Sequence, residues 1–146
     1  MKRPMLLALS GAAMLAGCGG SNGSAMPGDA DDTKPFAGIA ADETIQFTGT
    51  EPFWGGETAG ESLSYSTPDD QQGKVIAVKR FAGRNGLSLS GELDGSPFVM
   101  AVTPGTCSDG MSDRDYPYTV TLQVRGEQRN GCAWTATQPY SGPKEP

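Results

Sequence analysis

Asp109, Asp113 and Asp115 fall within seven residues of one another, in a stretch that runs Cys107-Ser108-Asp109-Gly110-Met111-Ser112-Asp113-Arg114-Asp115. Hard cations take carboxylate and hydroxyl oxygens, so these aspartates, with Ser108 and Ser112, are the weak metal candidates of the chain. Their spacing is not D-x-[DN]-x-[DN]-G followed by a distal glutamate, so no metal or other cofactor is expected. The same residues also have a structural use. Asp109-Gly110 makes a turn, Ser108 and Asp113 bond the loop's own backbone, Met111 plugs a barrel end, and Arg114 pairs with a carboxylate. A second set is Gly49-Thr50-Glu51-Pro52-Phe53-Trp54. Glu51 could accept a hydrogen bond and Trp54 could stack on a ligand at a mouth. The plainer use is a turn at Gly49 and Pro52, after which Phe53 and Trp54 start a strand with one ring in the core.

The chain contains no histidine. That removes Ser-His-Asp and Cys-His hydrolysis, histidine-ligated zinc, and most acid-base schemes that run near neutral pH. Ser112 lacks G-x-S-x-G surroundings, and nothing places Lys74 or Lys79 to serve it as a base. The enzyme alternative is a carboxylate-dependent hydrolase that pairs Glu51 with Asp109 or Asp113, which requires the pair to approach to ~5 to 9 Å. The expectation is a non-enzymatic role.

Residue 18 sets the address. Met1-Lys2-Arg3 leads into an apolar run from Met5 to Ala16 that ends Leu15-Ala16-Gly17-Cys18. This segment resembles a bacterial lipoprotein signal and is too short to span a bilayer. The resemblance implies cleavage of residues 1–17, diacylglyceryl on the Cys18 thiol and a further acyl chain, such as palmitate, on the new amine. Two or more chains anchor a protein stably where one does not. Gly19-Gly20-Ser21 follows, without the aspartate that commonly retains such lipoproteins in the inner membrane, so the expected location is the outer membrane, facing the periplasm. Cys107 and Cys132 are then left as a pair in an oxidising space, where a disulfide is expected. It would stabilise the fold by roughly 3.5 kcal/mol through loop closure.

Loss of Lys2 and Arg3 moves the net charge from −6 to −8, with nine basic residues left against seventeen acidic ones. Such a chain repels phosphate backbones and anionic headgroups, so no nucleic-acid partner is expected. Membrane attachment is assigned to the lipid alone.

These residues must be positioned by β structure. Leu87, Leu89 and Leu93 alternate with Ser88, Ser90 and Glu92, and Val120, Leu122 and Val124 alternate with Thr119, Thr121 and Gln123. Period two predicts strands, with further candidates at 44–48, 62–66, 74–81, 97–103 and 128–135. Turn residues punctuate the runs at 67–70, 84–86, 94–95 and 125–127. Short links make neighbours antiparallel, and an uninterrupted meander of about seven to eight strands favours a small all-β barrel, with a sandwich as the alternative. Residues 18–41, rich in Gly, Ser, Pro, Ala and Asp, read as a flexible tether. The barrel is set at 42–137, and residues 138–146 read as a loose, disordered tail.

Taken together, Gly49 to Trp54, the 107–118 stretch through Tyr116-Pro117-Tyr118, and Gly131-Cys132-Ala133 resemble a group of uncharacterised bacterial envelope proteins. That group carries GTEPFW near the start and CSDGMSD-x-x-YP followed by GCA near the end. The likeness covers Gly49 to Ala133 and implies an exported β-rich domain without supplying an activity. The expected function is a binding or interaction module for an envelope protein or small ligand, using Glu51, Phe53, Trp54, Asp109, Met111, Asp113 and Arg114. A protective inhibitor of cationic lysozyme is the alternative suggested by architecture and charge.

Overall fold

The computed structural model describes residues 33–144. Cys18 and the expectations for residues 1–32 lie outside them. Eight strands follow one another: β1 (Ile45–Thr50), β2 (Phe53–Ala59), β3 (Ser62–Thr67), β4 (Asp70–Ala82), β5 (Leu87–Leu93), β6 (Ser96–Ser108), β7 (Asp115–Val124) and β8 (Glu127–Thr135). Each pairs antiparallel with the next, and β1 pairs with β8 to close the barrel. Closure leaves no sheet edge exposed. The all-β barrel is therefore the observed fold, and the sandwich alternative is set aside.

Seven of these strands form where strands were expected, because one face is apolar and the other polar; β2 was expected only as a strand started by Phe53 and Trp54. Phe47, Leu63, Leu89, Phe98, Met100, Val102, Tyr118, Val120 and Leu122 pack together inside, while Gln46, Glu57, Lys79, Thr121 and Gln123 face out. Apolar inside and polar outside is the reverse of barrels that span an outer membrane. Among the described residues no helix is long and apolar enough to cross a membrane.

Two hairpins are closed by two-residue turns with both residues at positive φ: Asp94 (54°) with Gly95 (78°), and Arg125 (51°) with Gly126 (79°). This is the twist-matched hairpin geometry, ordinary for Asp-Gly but costly for the long side chain of Arg125.

Several boundaries move. Strand β4 starts at Asp70, and β6 runs to Ser108 past a register shift between Pro104 and Cys107. Much of the stretch read as a loop is therefore strand. The barrel domain begins before residue 42, because Ile39, assigned to the tether, is buried in the core with Phe36 packed against it. Arg80 holds this segment by donating to the carbonyls of Ile39 and Ala40 at 2.6 and 2.8 Å. Ile39 thus covers the barrel end where Met111 was expected to sit, while Met111 stands 69% exposed. Residues 138–144 are docked too: Gln138 Nε2 donates to Gly38 at 2.8 Å, and Ser141 bridges with Asp115 through both backbone bonds. Thr137 donates to Glu43, and this hydroxyl contact leads the interactions that lower the Glu43 pKa.

Candidate functional site

Two regions carry the polar chemistry of the domain. The first is a strap formed by the end of β6 and the 109–114 loop. Cys132 lies between core-facing Ala133 and Gly131 on β8, so its side chain points outward. It is bonded there to Cys107, with Cα atoms 5.6 Å apart. The strap reaches on to β1, where the Thr50 hydroxyl donates to the Asp109 carbonyl at 3.0 Å. The disulfide expected from the cysteine count is present.

The strap satisfies itself. The Asp109 carboxylate accepts from Met111 N–H (2.9 Å), Ser112 N–H (2.8 Å), Ser112 Oγ (2.7 Å) and the Tyr116 hydroxyl (3.1 Å). Partial burial acts to raise the Asp109 pKa, but bonds from Ser112, Met111 and Tyr116 outweigh it and bring the carboxyl down to about 2. A carboxylate that accepts three donors from its own loop and one from β7 is a structural staple. Ser108 accepts from Gly110 N–H at 3.2 Å. Among the described residues no three His, Cys, Asp or Glu side chains gather to hold a metal, so Asp109, Asp113 and Asp115 are not brought together as ligands.

Among the described residues Arg114 pairs with no carboxylate. Its Nε donates to the Pro143 carbonyl at 2.7 Å, its Nη2 to the Lys144 carbonyl, and its guanidinium lies 4.6 Å from the Tyr140 ring centre. Tyr140 in turn contacts Tyr116 and Trp134 at 5.6 and 5.7 Å between ring centres. A groove of about 450 Å³ runs beside Trp134, Pro139 and Tyr140. Glu51 and Asp109 share the wall of another, of about 490 Å³, while Asp113 lies apart from it, exposed. A hydrolytic acid needs a raised pKa, and Asp109 is shifted the other way.

The second region is the barrel mouth where the β1–β2, β3–β4, β5–β6 and β7–β8 turns meet. Phe53 and Trp54 divide as strand alternation requires, with Phe53 half exposed at the rim and Trp54 buried at 3% exposure. Trp54 is thus no stacking platform for a ligand. Its ring fills the space left by two glycines: a Cβ at Gly49 would lie 2.2 Å from its Nε1, and one at Gly131 would lie 2.8 Å from its Cζ2. It contacts Tyr65 at 6.3 Å between ring centres.

Arg129 completes this end. It opposes core-facing Leu122 across the β7–β8 ladder, so its side chain turns inward and is only 17% exposed. Nη1 donates to the Tyr65 hydroxyl at 2.7 Å and Nη2 to Glu127 at 2.9 Å. Burial raises the Tyr65 pKa, against the opposing pull of the Arg129 charge. Nearby, Asp94 binds both Lys74 and Arg125 at 2.6 Å, and these cations lower its pKa, Lys74 the more. A cavity of about 210 Å³ opens among Phe53, Tyr65, Pro68, Val124, Arg125 and Arg129. The sequence reading missed Tyr65, Arg125 and Arg129. The available signal was parity, since Arg129 shares the inward face of β8 with Gly131, Ala133 and Thr135.

Among the described residues two buried donors have no partner: Trp54 Nε1 and Arg129 Nε. Almost all buried polar groups are paired, so both at one end of a barrel call for a physical explanation. No family model, curated protein or solved structure matches the chain.

Proposed function

We propose that this protein is an envelope lipoprotein, anchored through Cys18 and facing the periplasm, that acts as a binding module through the open mouth of its barrel. The observation that carries the reading is a contrast within the barrel. The interior is filled by side chains from Phe47, Phe98, Met100 and Leu122, leaving the mouth cavity, lined by Arg129 with its unpaired Nε, as the place where an added group would be held. The signal-like residues 1–17, the Cys107–Cys132 bond and the polar outer face support the address.

Two experiments test this. Mass spectrometry of the mature protein should find acyl chains on Cys18, and Cys18→Ser should move the protein out of the membrane fraction. An unmodified Cys18 would remove the anchor. Affinity capture from envelope extract with residues 33–144 should lose its partner on Phe53→Ala at the mouth and keep it on Met111→Ala on the strap. The reverse pattern would refute the mouth as the binding end. The net charge of −8 after cleavage favours one second reading, inhibition of a cationic lysozyme. An inhibition assay with the soluble domain decides it, and unimpeded lysozyme would end it.

A further inference from the structure

We infer that the barrel mouth binds a carboxylate, seated against Arg129, with buried Trp54 packed behind Tyr65 as its nearest reporter. This rests on the reading of the mouth as the binding end and names what it takes. A ligand there must supply acceptors, because Arg129, which lines the cavity and has an unpaired Nε, is a donor only. Trp54 is 3% exposed and Arg129 is 17% exposed in its side chain, so neither donor is compensated by bulk water. Leaving such donors unpaired costs more than a lost surface bond.

Charge narrows the class. Lys74, Arg125 and Arg129 gather at this end of an otherwise acidic protein, but Asp94 already holds Lys74 and Arg125, and Glu127 holds one edge of Arg129. Asp69 and Asp70 also line the adjoining cavity, which is about 200 Å³. A doubly charged phosphate would meet these carboxylates, whereas a single carboxylate matches the one guanidinium that remains incompletely used. Guanidinium presents two parallel N–H bonds to a carboxylate, a geometry that lysine lacks. Phe53, Val124, Pro52 and Pro68 supply an apolar wall for the body that carries the acid.

Arg129 Nε is covered, so the guanidinium must turn for its edge to meet the ligand. Its outer contact is the bond to Glu127, a side chain 66% exposed. The Glu127 end of the pair is open to solvent, so Glu127 is a latch that a ligand carboxylate can replace. The left-handed backbone of Arg125 keeps a second cation at the rim.

The carboxylate could belong to a free small acid or to a peptide C-terminus, and the probes separate the two. Propionate, N-acetyl-glycyl-alanine and its C-terminal amide are titrated into residues 33–144 while the Trp54 indole N–H is followed by NMR. The expected result is a saturable shift with an acid and none with the amide. A peptide acid binding tighter than propionate assigns the source to a chain terminus, and equal affinity assigns it to a free acid. Arg129→Gln should weaken binding about tenfold or more. Glu127→Gln, which leaves the core untouched, should tighten it several-fold by releasing the latch, and it serves if the Arg129 variant fails to fold. An amide that binds as well as the acid overturns the proposal, as does an indole unmoved by millimolar acid or a Glu127→Gln variant that binds no better. If capture on the domain depends on Phe53 while no acid binds, the module stands and the carboxylate falls.

Discussion

The strap and the mouth solve opposite problems with similar residues. On the strap, Asp109 is surrounded by four donors, and Arg114 finds two carbonyls and an aromatic face. At the mouth, Arg129 has two acceptors for five N–H groups, and a tryptophan donor one layer deeper has none. A motif dense in turn residues and carboxylates is thus spent on holding itself to the barrel wall. The unmet bonding capacity belongs to Arg129, in ordinary strand sequence, and to Trp54 of the GTEPFW stretch. Polar side chains mark function by what they lack rather than by their number.

Stability and binding separate the strap from the mouth. The largest effect is expected from Cys107→Ser with Cys132→Ser, which frees the strap and should cost about 3 kcal/mol in urea unfolding. Binding at the mouth should survive in the folded fraction; its loss would show that the two regions act as one. Gly49→Ala comes next. Its Cβ would meet Trp54 Nε1, so overpacking should cost about 2 kcal/mol and disturb the mouth through the indole. A variant as stable as the wild type would mean that Trp54 is free to move.

Asp109→Asn should cost about 1 kcal/mol near neutral pH, discounted for the partial exposure of the site. The sign follows from the direction of the shift. The folded carboxyl titrates at about 2, below its unfolded value, so its contribution is present above pH ~4 and fades as pH falls toward 2. Thermal melts from pH 5 to 2 should fall less steeply in the asparagine variant, and parallel curves would show that Asp109 is not a staple. The smallest stability effect belongs to Glu127→Gln, within ~0.5 kcal/mol, since it removes only an exposed partner. A large loss would make that pair structural and not a latch.

Much of the barrel was legible because alternation in 87–93 and 119–125 reports directly which face is dry. The disulfide was legible from the cysteine number and the expected oxidising compartment. Ile39 was not, because one isolated apolar residue among Gly, Ala and Asp has no period, and its burial depends on Arg80 holding the backbone from β4. The continuation of β6 to Ser108 was hidden by Pro104 and Gly105, which the sheet absorbs as a register shift. Arg129 was hidden for a different reason. Its inward direction is set by pairing with Leu122, and its importance arises from Tyr65, sixty-four residues away in the chain. No local pattern contains that contact.

The two tryptophans report on the two regions separately, Trp54 beneath the mouth and Trp134 beside the strap. The most direct test is therefore an NMR titration of residues 33–144 with N-acetyl-glycyl-alanine, following both indole N–H signals, with Trp134→Phe to assign them. The account predicts a saturable shift at Trp54 and a stationary Trp134. A shift at Trp134 with Trp54 unmoved would contradict it and return the site to the strap.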